Sequence, residues 1–188
     1  MTTTISPTLA IALAAIVVIV LLATIAFFWW RERKSDRLRA RFGPEYRRTL
    51  EETGNRQEAE TRLHELEKRV ASFSIRALSP EEKARNIAAW HKIQAGFVDN
   101  PGDAVGRADD LLGSVMQMRG YPVSDFEQRS ADLSVDHPVV VQNYRAAHDI
   151  ALKNRRGEAD TEALRQAMIH YRALFAELVD EPQLAKAS

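Results

Sequence analysis

The feature that most constrains this chain is the stretch from Leu9 to Trp30, LAIALAAIVVIVLLATIAFFWW, which holds no charged residue. As a helix rising ~1.5 Å per residue it measures about 33 Å, enough to cross a hydrocarbon layer of ~30 Å with slight tilt. No water in a bilayer can satisfy bare peptide groups, so such a run is helical. Its only hydroxyl, Thr24, can bond back to a carbonyl one turn earlier. Trp29 and Trp30 close the run, and indole favours the headgroup layer. A cleaved signal peptide would need a basic leading region, a shorter apolar core and small residues at the cut. Met1 to Thr8 carries no Lys or Arg, and Phe27, Phe28, Trp29 and Trp30 stand where the cut would fall. The stretch reads as an uncleaved, single-pass signal anchor over 9–30, behind a short tail, 1–8.

Orientation follows from the flanks. Residues 31–48 hold eight basic and three acidic side chains, a net +5, while the tail before the span is uncharged apart from its α-amino group. The positive-inside rule places the basic side, and the bulk of the chain, in the cytoplasm, with the N-terminus outside. Trp29, Trp30, Arg31, Arg33 and Lys34 are the candidate membrane-interface residues. The cations from Arg31 to Arg48 could also touch anionic lipid heads, at ~1 kcal/mol each near the surface, although setting topology alone accounts for them.

The whole chain holds 26 basic and 26 acidic residues, all beyond position 30. The part after residue 48 is therefore net −5, which argues against a nucleic-acid binder, whose folded domain would show a basic face. Cysteine is absent, which excludes disulfides, thiolate zinc sites and cysteine nucleophiles.

Everything after the anchor reads as helix. Gly43-Pro44 breaks the helix that leaves the membrane. Gly54 ends a short helix, and Asn55 with Glu58 opens the next. That one carries Ala59, Leu63, Leu66, Val70 and Phe73 at alternating spacings of four and three. Two heptads fall short of the three or four a coiled coil needs, so the reading is an amphipathic helix lying on its own domain. An intermolecular seam, and with it a homo-oligomer, is the alternative. Ser79-Pro80-Glu81-Glu82 is a strong helix start, with Ala84, Ile87, Trp90, Ile93 and Phe97 as its apolar face. The helix after Pro101 buries Ala104, Ala108, Leu111, Leu112, Val115 and Met116. Gly106 and Gly113, seven apart in it, suggest a close helix–helix approach. Ser124 and Glu127 read as a capping box, Asp136 as the cap of a helix burying Val140, Tyr144, Ala147 and Ala151, and Asp160 or Thr161 as the start of the last helix. There Leu164, Ala167, Met168, Tyr171, Leu174, Phe175 and Leu178 keep helical spacing. The fold class is all-α: an N-terminal transmembrane helix, a basic juxtamembrane segment and charged helical stalk over 31–78, a helical bundle over 79–181 and a disordered tail, 182–188.

RFGPEY at Arg41 to Tyr46, RGYP at Arg119 to Pro122, and SVDHPVVVQNYRAAH at Ser134 to His148 (the last holding DHP, five residues, then YRAAH) give the chain its resemblance. It resembles a family of small bacterial single-pass membrane proteins with a helical cytoplasmic region, over nearly its whole length. The resemblance implies that architecture and a bacterial source, and supplies no catalytic residue.

The polar residues worth weighing are His137, Tyr144, His148, His170 and Tyr171. His137 and His148 are eleven apart, about 16 Å along a helix, so they cannot share a metal, and no third ligand has zinc spacing. Asp136-His137 resembles a base-orienting pair, but Ser130 and Ser134 sit on no glycine-built elbow. No glycine loop that could cradle phosphate is present. No cofactor is called for and no reaction is implied. The main reading is a cytoplasm-facing adaptor or scaffold acting by contact with a protein partner; the alternatives are a small-molecule-binding or enzymatic domain with a pocket of Tyr144, His148, His170 and Tyr171, and a membrane-surface protein whose basic stalk senses anionic lipid. A buried polar pocket built from those four would favour the first alternative. A reporter active only outside the cytoplasm, fused after Ser188, is expected to be silent in the intact cell; strong reporter activity would reverse the orientation.

Overall fold

The computed structural model describes residues 7–180. The side chains of residues 7–15, 17, 18, 27, 28, 30, 31 and 34 lie outside that description, and with them the interface candidates Trp30, Arg31 and Lys34. So do residues 1–6 of the expected leading tail and all of the expected tail 182–188. Among the described residues there are eight α-helices and no strand: α1 (Pro7–Phe42), α2 (Pro44–Thr53), α3 (Arg56–Ala71), α4 (Pro80–Gly96), α5 (Pro101–Met118), α6 (Phe126–Asp136), α7 (Val140–Arg155) and α8 (Thr161–Val179). The all-α class holds. The chain divides into two compact units, 1–41 and 42–188.

The first unit is α1, unbroken through the whole apolar run. Thr24 Oγ1 donates to the carbonyls of Val20 (3.0 Å) and Leu21 (2.8 Å), the back-bonding its position called for. Ile16, Ile19, Val20, Leu21, Leu22, Ile25 and Trp29 are each more than half exposed. The Arg33 guanidinium lies 3.6 Å from the Trp29 ring centre, a cation–π contact. Among the described residues, no helix is long and apolar enough to cross a membrane. Most side chains in the first half of the run from Leu9 fall outside that description.

The second unit is built on α8. Its stripe Leu164, Ala167, Met168, Tyr171, Leu174, Phe175 and Leu178 is buried throughout, against α7 on one side and α5 on the other. Trp90 of α4 is fully buried and stacks on Phe175, with centroids 4.9 Å apart and 14° between planes. α5 adds Val105, Ala108, Leu112, Val115 and Met116, and α7 adds Val141, Tyr144, Ala147 and Ala151. Local signals set the helix starts. Ser79 and Glu82 complete a reciprocal capping box, and Asn55, Asn100 and Asp160 each accept amide protons of the following turn. Gly120 closes α5 at φ +97°, and a Cβ there would stand 2.4 Å from the Ser74 carbonyl oxygen. The connector between α3 and α4 can approach only because Gly120 has no side chain, and Arg76 N donates to the Arg119 carbonyl at 2.9 Å.

Several local expectations are corrected. Asp125, not Ser124, caps α6, its carboxylate taking the Gln128 amide at 2.8 Å. Asp136 ends α6 rather than opening α7, which starts at Val140 without a side-chain cap. α7 buries Val141 in preference to Val140. Gly106 and Gly113 mark no close helix approach: Gly106 faces open space, and Gly113 faces an arginine.

Residues 44–71, expected within a stalk, fold as α2 and α3 packed on each other, with α3 against α6. Ala59, Leu63 and Val70 are buried within this one chain. Two charged clamps fasten the pair. Arg145 of α7 gives Nη2 to Glu45 at 2.8 Å and Nη1 to Glu127 at 3.2 Å. Arg69 holds Asp132, which is 1 % exposed, through Nε at 2.9 Å and Nη2 at 3.4 Å, with Gln128 as a further donor at 2.8 Å. Arg69→Ala strands a buried carboxylate and is expected to cost about 3 kcal/mol, near the low end for a broken buried pair because Gln128 remains. Phe175→Ala, which opens a core cavity, should cost ~3–5 kcal/mol. Thermal unfolding of the full chain in detergent would compare them; an Arg69→Ala protein melting like wild type would show that the clamp does not hold α3.

Candidate functional site

Within the second unit, helical spacing carries a set of polar side chains into otherwise apolar seams. On α5, Val105, Leu112 and Met116 are buried, and Asp109 occupies the intervening position of the same 4–3–4 series. On α7, Val141, Tyr144 and Ala151 are buried and His148 stands between the last two. On α8, Tyr171 sits one turn from Ala167 and one turn from Phe175, all three buried. On α6, Phe126 and Arg129 lie three apart, on one face.

These side chains meet. Tyr144 and Tyr171 are both fully buried, their rings 6.3 Å apart and tilted by 55°. Phe126 lies over the His148 ring at 3.6 Å, nearly parallel, and against Tyr144 at 4.9 Å. His148 Nδ1 is 3.8 Å from the Asp109 carboxylate, beyond hydrogen-bond reach. Arg129 comes from α6 to place Nη1 where a Cβ on Gly113 would be only 2.9 Å away, so the glycine is a notch for a guanidinium. Between α5 and α6 this leaves a cleft of about 330 Å³, lined on one side by Asp109, Asp110, Gly113 and Ser114 and on the other by Ser124 and Arg129.

Several buried polar atoms gather here. Asp109 Oδ1, Ser124 Oγ, Arg129 Nε, Tyr144 Oη and His148 Nδ1 are buried without a hydrogen bond among the described residues, while the Tyr171 hydroxyl is set against the Asp109 carboxylate. Leaving such a group unsatisfied costs ~1–3 kcal/mol, and native interiors rarely contain several together.

The electrostatics follow from this burial. Desolvation, joined by the nearby Asp109 charge, pushes the Tyr144 and Tyr171 phenols well above the usual range, so both stay neutral donors. Burial holds the His148 imidazole below its usual range, opposed by Asp109 and reinforced by Arg155. What the cleft offers is hydrogen-bonding groups, the carboxylates of Asp109 and Asp110 and the guanidinium of Arg129. It holds no activated nucleophile, and among the described residues no group of His, Asp and Glu is placed to hold a metal ion.

Of the four candidate pocket residues, the structure joins Tyr144, His148 and Tyr171 and leaves out His170, whose Nδ1 is bonded to Asn143 Oδ1 at 3.1 Å. His137 pairs instead with Glu177 at 3.1 Å. Asp109 and Arg129 were missed. Asp109 was legible as a carboxylate interrupting a 4–3–4 apolar seam, whereas Arg129 has no such mark, since its reach depends on Gly113 of another helix. No protein-family model matches the chain, and neither does any curated protein or solved structure.

Because the unfolded imidazole takes up its proton more readily than the folded one, His148 makes stability fall as the pH drops below about 6.5. The loss is complete once the pH lies below the depressed folded value. His148→Gln is expected to flatten that acid limb in melting curves recorded from pH 8 down to 5; an unchanged limb would assign the slope to other groups.

Proposed function

We propose that this protein is a single-pass membrane protein whose helical domain binds a small polar molecule on the cytoplasmic side. The anchor is Leu9–Trp30. Its support is an uncharged run of spanning length, a backbone helix continuous from Pro7 to Phe42, exposed apolar side chains along it and a net +5 flank. The cation–π pair of Arg33 with Trp29 suits an interfacial position. The resemblance to small bacterial single-pass proteins points the same way.

The observation that carries the binding function is the group of buried, partnerless polar atoms around Asp109. A fold that only needed stability would place apolar groups in those seams. Among the described residues of the folded domain, the exposed large apolar side chains Val98, Val123, Val139 and Leu152 fall in four different segments, so contact with a protein partner, the alternative function, would rest on a largely polar surface.

A site maintained at the expense of stability has a measurable signature. Tyr144→Phe deletes one buried, unpartnered hydroxyl without changing shape, so it should leave the melting temperature of the unliganded full chain equal or higher. Asp109→Asn should behave alike. A loss as large as that of Phe175→Ala would show that these groups hold the core together and would remove the ground for a binding site.

A further inference from the structure

The geometry points to the cleft between α5 and α6 as a binding site for a free α-amino acid, recognised through both its ammonium and its carboxylate. The inference rests on the small-molecule reading above and adds the chemical class of ligand.

Three observations carry it. The first is that the cleft holds unpaired charges of both signs. Arg129 makes no side-chain hydrogen bond or ion pair among the described residues, and its Nε is buried. Asp109 keeps one carboxylate oxygen buried and unpartnered, with the other 3.8 Å from His148. The two charges line one cleft without forming an ion pair with each other, so a ligand between them can satisfy both. A simple anion would meet Asp109 and Asp110, and a simple cation would meet Arg129. A molecule that carries both charges on groups attached to one carbon can turn each toward its opposite.

The second observation is the notch at Gly113. Glycine inside a helix costs up to ~1 kcal/mol relative to alanine, and here the missing Cβ admits Arg129 Nη1 at a distance where a methyl would clash. The arginine lies against α5 without an ion pair to either aspartate of the cleft, an arrangement that suits a planar fork awaiting a carboxylate. The third observation is a hydroxyl. Ser124 Oγ lines the same cleft, buried and unpartnered. It supplies a neutral donor and acceptor that fixes orientation once the charges have docked. A volume of about 330 Å³ lies at the small end of ligand pockets, near the ~300 Å³ lower bound, which fits a small metabolite.

The test uses the full chain in detergent or nanodiscs. Each of the common L-α-amino acids is titrated singly by calorimetry, followed by the amine and the acid corresponding to the best binder. At least one amino acid should bind. Its decarboxylated amine and its deaminated acid should each bind at least ~10-fold more weakly, the scale of a lost charge-assisted contact. Arg129→Gln should weaken the amino acid at least ~10-fold while leaving the amine unchanged, and Asp109→Asn should likewise weaken the amino acid while leaving the acid unchanged. Should Arg129→Gln fail to fold, Gly113→Ala serves instead, because it displaces the arginine without deleting it and should likewise weaken the amino acid and spare the amine. If the amine or the acid binds as tightly as the amino acid, the zwitterion proposal falls while the pocket stands. If no amino acid binds, the proposal falls; if Tyr144→Phe also destabilises the chain, the pocket reading falls with it.

Discussion

The packing of α8 is the constraint from which the second unit follows. Its buried stripe runs from Leu164 to Leu178 and cannot be covered by one neighbour. α7 covers one side, α5 the other, and α4 reaches in through Trp90 to stack on Phe175. Most of a helix's stability in a protein comes from packing of its apolar face, so the capped helices α4, α5 and α8 persist because this shared surface holds them. α6 is placed differently. It packs on α7 and on α3, and the gap left toward α5 is the cleft that Arg129 crosses.

That arrangement explains how the fold tolerates polar groups in its seams. Tyr144, His148 and Tyr171 present large apolar surfaces to Phe126 and to each other, and only the tips of Tyr144 and His148 are unsatisfied. The rings contribute burial, ~25 cal/mol per Å², while each orphaned tip subtracts ~1–3 kcal/mol. Removing the tips would keep the packing and lose only the hydrogen-bonding groups.

Most of the fold could be read from the residues. Capping residues, glycine stops and periodic apolar stripes marked α4, α5 and α8 closely, and Gly43-Pro44 marked the break after α1, because these signals act within one or two turns. Failures came where the deciding contact was distant. Ser124 and Asp136 have the right chemistry for caps, yet Asp125 took the first role, and the chain between α6 and α7 gave Asp136 a place at a helix end. Gly113 looked like a backbone contact and proved to be a seat for a side chain from α6. The site was half legible for the same reason. Aromatic and histidine residues in a seam announce themselves, as Tyr144, His148 and Tyr171 did, while the partner that completes them, Arg129, is defined only by the crossing of two helices. His170 shows the limit of proximity in sequence. It is next to Tyr171, but one residue along a helix turns the side chain by about 100°, and it meets Asn143 instead.

The two clamps on α2 and α3 bear on the site through α6. Glu127 and Asp132 flank Arg129 on that helix, one held by Arg145 and Arg48, the other by Arg69. Phe126, which roofs His148, is the neighbour of Glu127. α6 has no large apolar stripe of its own: its buried residues are Ser130, Asp132, Leu133, Ser134 and Val135, three of them polar. Hydrophobic burial alone would hold such a helix weakly, so its position depends on charged contacts supplied by the segment nearest the basic flank. Asp132 is almost wholly buried, and a bidentate arginine there fixes direction as well as distance. The hairpin of α2 and α3 thus acts as a brace for the wall of the cleft. It sets where Arg129 stands relative to Asp109, and with it whether the two charges can be bridged by one small molecule.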